Sequence, residues 1–146
     1  MKTVAEILKS KPHQALHATT PTASVFEAVT TMADKNIGAL LVIEADKIVG
    51  IITERDYARK IAVMSRSSRD TPVSDIMTRK VMCVRPEHTA DQCMALMTDN
   101  RFRHLPVMEG DKLLGLISIG DLVKSVIADQ RFIIEQLEHY IAGDRG

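Results

Sequence analysis

The sequence predicts an α+β fold: two tandem β-α-β-β-α repeats packed with pseudo-two-fold symmetry, followed by a C-terminal helical extension. Three observations predict it. The chain aligns with itself without a gap, each copy carries an apolar stripe at helical spacing, and each stripe is followed by two apolar runs joined by a short polar link. Sliding the sequence by 65 positions pairs Pro21 with Pro86, Met32 with Met97, Leu40 with Leu105 and Val42 with Val107. The same register runs on through Glu44/Glu109, Asp46/Asp111, Lys47/Lys112, Gly50/Gly115, Ile52/Ile117 and Asp56/Asp121. Repetition of this kind sets the architecture. A lead segment is also duplicated, "VAEIL" from Val4 and "VSDIM" from Val73, but at an offset of 69. The repeats divide the chain into 1–70, 71–128 and a tail of 129–146.

The elements follow in order. A short strand is expected before each proline, around His17–Thr19 and Met82–Val84. Val25, Ala28, Val29 and Met32, and likewise Ala90, Cys93, Met94 and Met97, fall at i, i+3, i+4, i+7, so each set lines one helix face. Ser24 to Glu27 and Thr89 to Gln92 have the pattern of capping boxes at the starts of those helices. Strands are expected at about Ala39–Glu44 with Ile48–Thr53, and His104–Glu109 with Leu113–Ser118. Ala45-Asp46 and Gly110-Asp111 suit tight hairpin turns between them. A second helix then begins near Arg55 and near Asp121. A unit of about 60 residues is marginal alone, which favours packing of the two repeats with clefts between them, where small molecules commonly bind.

Bulk properties narrow the function classes. With 146 residues, 45% hydrophobic and 26% charged, the composition is that of an ordinary globular protein. Nineteen Lys plus Arg balance nineteen Asp plus Glu, so no basic field favours nucleic acid or an anionic membrane. No run is long and apolar enough to span a bilayer, and "MKTVAEILKS" lacks a signal-peptide core. Cys83 and Cys93 fit neither a CxxC nor a disulfide-dense pattern, so a reduced cytoplasmic protein is expected.

Each repeat ends its second strand in a related motif, "GIITERD" at Gly50–Asp56 and "GLISIGD" at Gly115–Asp121. Thr53 and Ser118 with Asp56 and Asp121 read as helix caps. At the other helix starts the third residue is Glu27 or Gln92, whereas after the hairpins it is Asp twice, although the residues between have diverged. A contact beyond capping therefore stays open beside the cap. A carboxylate can accept two hydrogen bonds from adjacent ribose hydroxyls. A Ser or Thr hydroxyl beside free helix N–H groups suits phosphate. Ile51 and Leu116 could cover the faces of a base.

Paired β-α-β-β-α repeats ending in "GIITERD" and "GLISIGD", with "RFRHLPV" before the second hairpin, resemble the cystathionine-β-synthase (CBS) domain pair, or Bateman module. The resemblance covers Val4 to about Ile127. It implies a regulatory module that binds adenosine-containing ligands: AMP, ADP, ATP, S-adenosylmethionine or, in some members, NAD(H). It further implies ribose contacts at Asp56 and Asp121 and hydroxyl contacts at Thr53 and Ser118. Base or phosphate contacts fall at Gly38-Ala39 and Arg103-His104. Repeat 2 carries Arg101, Arg103, His104 and Pro106 where repeat 1 carries Asn36, Gly38, Ala39 and Leu41, with Arg55 as a partial counterweight. Two unequal sites are expected, one better suited to a phosphate-bearing ligand.

Other features are read more plainly. His13 and His17 have the i, i+4 spacing of metal ligands, but Gln14 stands where a zincin has glutamate and Pro12 points to a linker, so no metal site is expected. Cys93, aligned with Ala28, reads as a core thiol, and the methionines as packing. Arg101 and Arg103 also fit solubilising positions on a strand edge. The repeats leave no nucleophile–base set, so no enzyme is expected. In the tail, a helix from Asp121 to Ile141 would carry Val123, Ile127, Ile134, Leu137 and Ile141 at heptad-like spacing, widened by Val126, Ile133 and Tyr140, with Gly143 as a stop. That stripe either packs back on its own domain or, as favoured, forms a homodimer interface. The regulated partner protein is not legible. The remaining alternatives are a ligand-free structural dimerisation module and an S-adenosylmethionine sensor.

Overall fold

A computed structural model describes residues 2–11 and 16–141; Pro12, His13, Gln14 and Gly143 lie outside the described residues. The chain forms two compact units, Leu16–Val81 and Met1–Ala15 with Met82–Gly146. The units thus differ from the order of the repeats: the segment that leads into repeat 1 belongs to the unit built on repeat 2.

The repeat-1 unit contains β1 (Ala18–Thr19), α2 (Val25–Lys35), the hairpin β2 (Ala39–Glu44) with β3 (Lys47–Thr53), and α3 (Glu54–Tyr57). A π-helical turn, Ala58–Ala62, continues α3, and a 3-10 turn at Val73–Asp75 opens the second lead segment. The repeat-2 unit contains α1 (Val4–Ser10), α4 (Ala90–Asn100), the hairpin β4 (His104–Glu109) with β5 (Lys112–Ser118), and α5 (Ile119–Ile141). The observed strands and helices follow the expected β-α-β-β-α order, with a C-terminal helix beyond it.

Both hairpins share one register and one irregularity, a bulge at Val42/Ile43 and at Val107/Met108. Their turns are flanked by the opposite-charge pairs Glu44/Lys47 and Glu109/Lys112, which favour this register. At the turns Ala45 and Asp46 both adopt positive φ (51° and 63°), whereas repeat 2 places Gly110 at φ 60°. Both positive values in repeat 1 fit a type I′ turn. Helices α2 and α4 bury the faces expected of them, Val25, Ala28 and Met32 in one and Ala90, Cys93 and Met97 in the other. Thr89 and Gln92 complete a reciprocal capping box. At Ser24 only the forward bond to the Glu27 N–H forms, which departs from the expected box.

One expected strand is cut short. β1 runs parallel to β2, pairing Ala18 with Leu41 and Thr19 with Val42, but the equivalent segment at Met82–Val84 retains a single bridge, Val84 to Val107. Val84 donates to the Pro106 carbonyl and accepts from Met108 (2.9 and 2.8 Å). Extension would next require an N–H from Pro106, which proline lacks.

The two lead segments dock by the same bonds on different repeats. Val4 N–H donates to His88 O (2.8 Å) and Ala5 N–H to Pro86 O (3.0 Å). Val73 N–H donates to Ala23 O (2.8 Å) and Ser74 N–H to Pro21 O (3.0 Å). Each acceptor pair is equivalent under the 65-residue shift. Val4 and Ile7 enter the core with Val84, Cys93, Leu105, Val107 and Ile117, while Val73 and Ile76 enter that of Val25, Leu40, Val42 and Ile52. The motif glycines make room for this docking. A Cβ on Gly50 would stand 2.8 Å from Met77 Sδ and 2.9 Å from Thr78 O, and one on Gly115 would stand 2.8 Å from Leu8 Cδ2.

The second helices differ. In α5 the helix runs for 23 residues, of which only Leu122 and Ser125 are buried. Val123, Ile127, Phe132, Ile133, Ile134, Leu137, Tyr140 and Ile141 are exposed. The alternative in which the tail folds back over its stripe is not what the described residues adopt. No helix among them is long and apolar enough to cross a membrane.

Candidate functional site: two helix-capping carboxylates

Strand pairing and the helix turn that follows assemble the same constellation in each unit. In repeat 1, Ala39 pairs with Thr53, the last residue of β3, and Gly38 O accepts from Glu54 N–H at 3.1 Å. In repeat 2, His104 pairs with Ser118, and Arg103 O accepts from Ile119 N–H at 2.9 Å. The predicted residues Gly38, Ala39, Thr53 and Asp56 therefore converge in one unit, and Arg103, His104, Ser118 and Asp121 in the other. Ile51 and Leu116 sit two residues before the hydroxyls; Ile51 is buried, bonded in both directions to Thr78, and Leu116 is half-buried. Arg55 is exposed in the first turn of α3.

Both aspartates cap. Asp56 N–H donates to Thr53 Oγ1 (3.1 Å), and Asp56 Oδ2 accepts from Thr53 N–H (3.0 Å) and Thr53 Oγ1 (3.1 Å). Asp121 N–H donates to Ser118 Oγ (3.2 Å), and Asp121 Oδ2 accepts from Ser118 N–H (2.8 Å). Asp completes the reciprocal box here as Gln92 does at α4, so capping accounts for part of the motif. The carboxylates also carry bonds that capping does not require.

Asp56 is 7% exposed. Its Oδ1 accepts from Thr78 Oγ1 at 3.2 Å and lies 3.2 Å from Lys60 Nζ, one turn on. Asp121 meets Lys11 Nζ at 3.0 Å, through the same Oδ2 that caps. Among the described residues no protein donor reaches Asp121 Oδ1. Each lysine is anchored a second time on a main-chain carbonyl, Lys60 on Ile76 O and Lys11 on Leu116 O, both at 2.8 Å. Among the described residues one carboxylate is thus engaged at both oxygens and the other at one.

The charges around the two carboxylates differ as well. His104, half-buried, has Asp121, Lys11 and Arg103 as charged neighbours. Burial holds its imidazole below the ordinary 6.5; Asp121 opposes that, and Lys11 and Arg103 reinforce it. Repeat 1 has alanine at this position. Cys93 lies fully in the core, and burial raises its thiol above 9.0, which suits the packing role expected of it.

Sequence reasoning did not find Thr78, Lys60 or Lys11. Lys60 had a signal, its i, i+4 spacing from Asp56. Thr78 and Lys11 had none, because both arrive on lead segments whose docking is a tertiary fact.

The CBS domain model matches residues 4–63 and 73–128. Over 150 residues the chain is 44% identical to the CBS domain-containing protein CBSX3, mitochondrial, of Arabidopsis thaliana, covering 97% of this chain and 72% of that protein. A solved structure of a protein with CBS domains from Burkholderia ambifaria MC40-6 has a TM-score of 0.85 at 58% identity, over 88% of this chain and 96% of that one. CBSX2 of Arabidopsis thaliana, solved in complex with AMP, has a TM-score of 0.70 at 25% identity, over 88% of this chain and 98% of that one.

Proposed function

The chain belongs to the CBS-domain family, and from that premise we propose that it is a non-catalytic regulatory module whose two units each bind an adenosine-containing ligand and signal to a partner protein. The observation that carries this reading is the repeated carboxylate. Asp56 and Asp121 stand at helix N-termini beside a hydroxyl residue and the first residue of the paired strand. In this reading the aspartates take the ribose hydroxyls, and Thr53 and Ser118 lie near ribose or phosphate. Ile51 and Leu116 flank the base; Gly38, Ala39, Arg103, His104 and Arg55 lie near base or phosphate. Similarity to AMP-bound CBSX2 supports an adenine nucleotide. AMP or ATP fits the cationic surroundings of Asp121 best. NAD(H) and S-adenosylmethionine share the ribose and are the competing ligands.

The two sites are unequal. Lys11 pairs with Asp121, His104 has Asp121, Lys11 and Arg103 as charged neighbours, and no donor among the described residues reaches Asp121 Oδ1, so the repeat-2 unit takes the phosphate-bearing ligand first. Calorimetry with AMP, ATP, NADH and S-adenosylmethionine tests this, alongside mass spectrometry of ligand that co-purifies. Two unequal steps, with the tighter one lost in the double variant Arg103→Ala/His104→Ala, are expected. Identical sites, or unchanged affinity in that variant, would overturn the inequality.

Signalling needs a ligand with different affinity for two states of the protein. The surface that answers is α5, whose apolar stripe suits a homodimer with a second copy. Sedimentation of a chain ending after Ile127 tests it; a dimer that persists would remove α5 as its main support. The second reading, a ligand-free dimerisation module, draws on the same stripe and on the full engagement of Asp56. No binding of any of the four ligands at millimolar concentration would favour it.

A further inference from the structure

Each candidate carboxylate is matched with one lysine, and the two lysines do not come from equivalent places. Under the 65-residue shift Lys60 corresponds to Ser125, a buried residue whose hydroxyl has no hydrogen-bond partner among the described residues. Under the 69-residue shift of the lead segments Lys11 corresponds to Lys80, which is exposed. Duplication of one ancestral pair therefore does not account for both contacts. The repeat-1 unit draws its ammonium from the turn after the cap, and the repeat-2 unit draws it from the end of α1. Capping alone does not require it either. Glu6, whose side chain completes the capping box at the start of α1, is exposed and has no cation within ion-pair distance among the described residues.

Resting on the nucleotide reading above, we propose that Lys60 and Lys11 are exchangeable counterions that make the two sites select phosphorylated nucleotides over nucleosides. Each ammonium is held by its aspartate and by a main-chain carbonyl. A ribose diol that takes the carboxylate competes with that ammonium. A nucleotide offsets the loss, because the released ammonium meets its phosphate; a nucleoside leaves the ammonium without an anion. Discrimination then comes from the penalty on the wrong ligand as much as from attraction to the right one. Both ammonium groups are partly exposed, with side-chain exposures of 45% for Lys60 and 29% for Lys11, so the exchange needs no unfolding. Lys60 shares Oδ1 of Asp56 with Thr78, and Lys11 meets Asp121 at the Oδ2 that caps.

The test is calorimetric titration of AMP and of adenosine into the full chain and into Lys60→Gln, Lys11→Gln and Lys80→Gln. Glutamine keeps an N–H donor for the carbonyl and removes the charge; Lys60→Met and Lys11→Met serve if a glutamine variant does not melt cooperatively. Loss of one charge-assisted contact corresponds to about a tenfold change, so the AMP preference over adenosine should narrow by about that factor in Lys60→Gln and Lys11→Gln. Adenosine should bind more tightly than to the parent chain, and Lys80→Gln should leave the preference unchanged. An unaltered preference in both lysine variants, with AMP binding still abolished by Asp56→Ala and Asp121→Ala, would overturn the counterion role and leave the nucleotide reading standing. Failure of the parent chain to bind either ligand would overturn both.

Discussion

The two repeats place the same motif on the same hairpin and then surround it differently. Asp56 is nearly buried, with Thr53, Thr78 and Lys60 engaging both of its oxygens. Asp121 caps and pairs with Lys11 through one oxygen, and it faces His104, which Lys11 and Arg103 also neighbour. Among the described residues one carboxylate meets neutral and charged donors at both oxygens, and the other meets them at one. A backbone shared by two copies does not give the two carboxylates equal surroundings; the side chains that arrive from elsewhere decide which donors each one meets.

The largest effect expected from breaking this comparison is at the motif glycines. Gly50→Ala should cost about 3 kcal/mol, because the new methyl meets the Thr78 carbonyl as well as Met77, and main chain cannot step aside cheaply. Gly115→Ala should cost about 1 kcal/mol, since its obstacle is the end of the Leu8 side chain. Urea denaturation measures both, and equal costs would contradict the difference in docking. Next in size, Asp56→Ala should destabilise by about 2 kcal/mol through loss of the cap and of a buried acceptor, against about 1 kcal/mol for Asp121→Ala. Reversal of that order would mean that Asp121 is the more deeply engaged carboxylate.

A further contrast lies in the two second strands of the outer pairing. Pro106→Leu, the residue repeat 1 carries at Leu41, restores an N–H facing Met82. Slower amide exchange at residues 105–108 should accompany a gain of about 0.5 kcal/mol. The smallest effect is the pH dependence that repeat 1 lacks. His104 has a folded pKa below 6.5, so the unfolded chain takes up its proton first as pH falls. Its contribution is present above 6.5 and is lost as pH drops through the lowered folded value. The melting temperature should therefore fall more between pH 7 and pH 5.5 in the parent chain than in His104→Ala, which copies Ala39. Parallel curves would remove His104 as the source. The facing charged groups, Asp121, Lys11 and Arg103, are unchanged in that variant.

Much of this was legible before any coordinates. Hairpin limits at Ala39–Glu44 and His104–Glu109, the faces of α2 and α4 and the caps at Thr53 and Ser118 are consequences of neighbours in the chain. The strand expected at Met82–Val84 shows where local reading went too far: Pro106 was visible, but its effect depends on which side of β4 that segment occupies. At the candidate site, the proximity of the motif and the facing strand was readable because a hairpin brings them together by its own register. Thr78 and Lys11 were not, because they lie on lead segments whose destination is written in no local pattern.

Amino-acid order alone therefore determined the repeat, its periodicities, its turns and the identity of the two capping carboxylates, since each depends on residues a few positions apart. Tertiary structure decided which lead segment closes which repeat, why Gly50 and Gly115 must lack a side chain, and which lysine faces each aspartate. Those facts rest on contacts between segments far apart in sequence, where burial of Val4, Ile7, Val73 and Ile76 in a core, rather than local spacing, selects the partner.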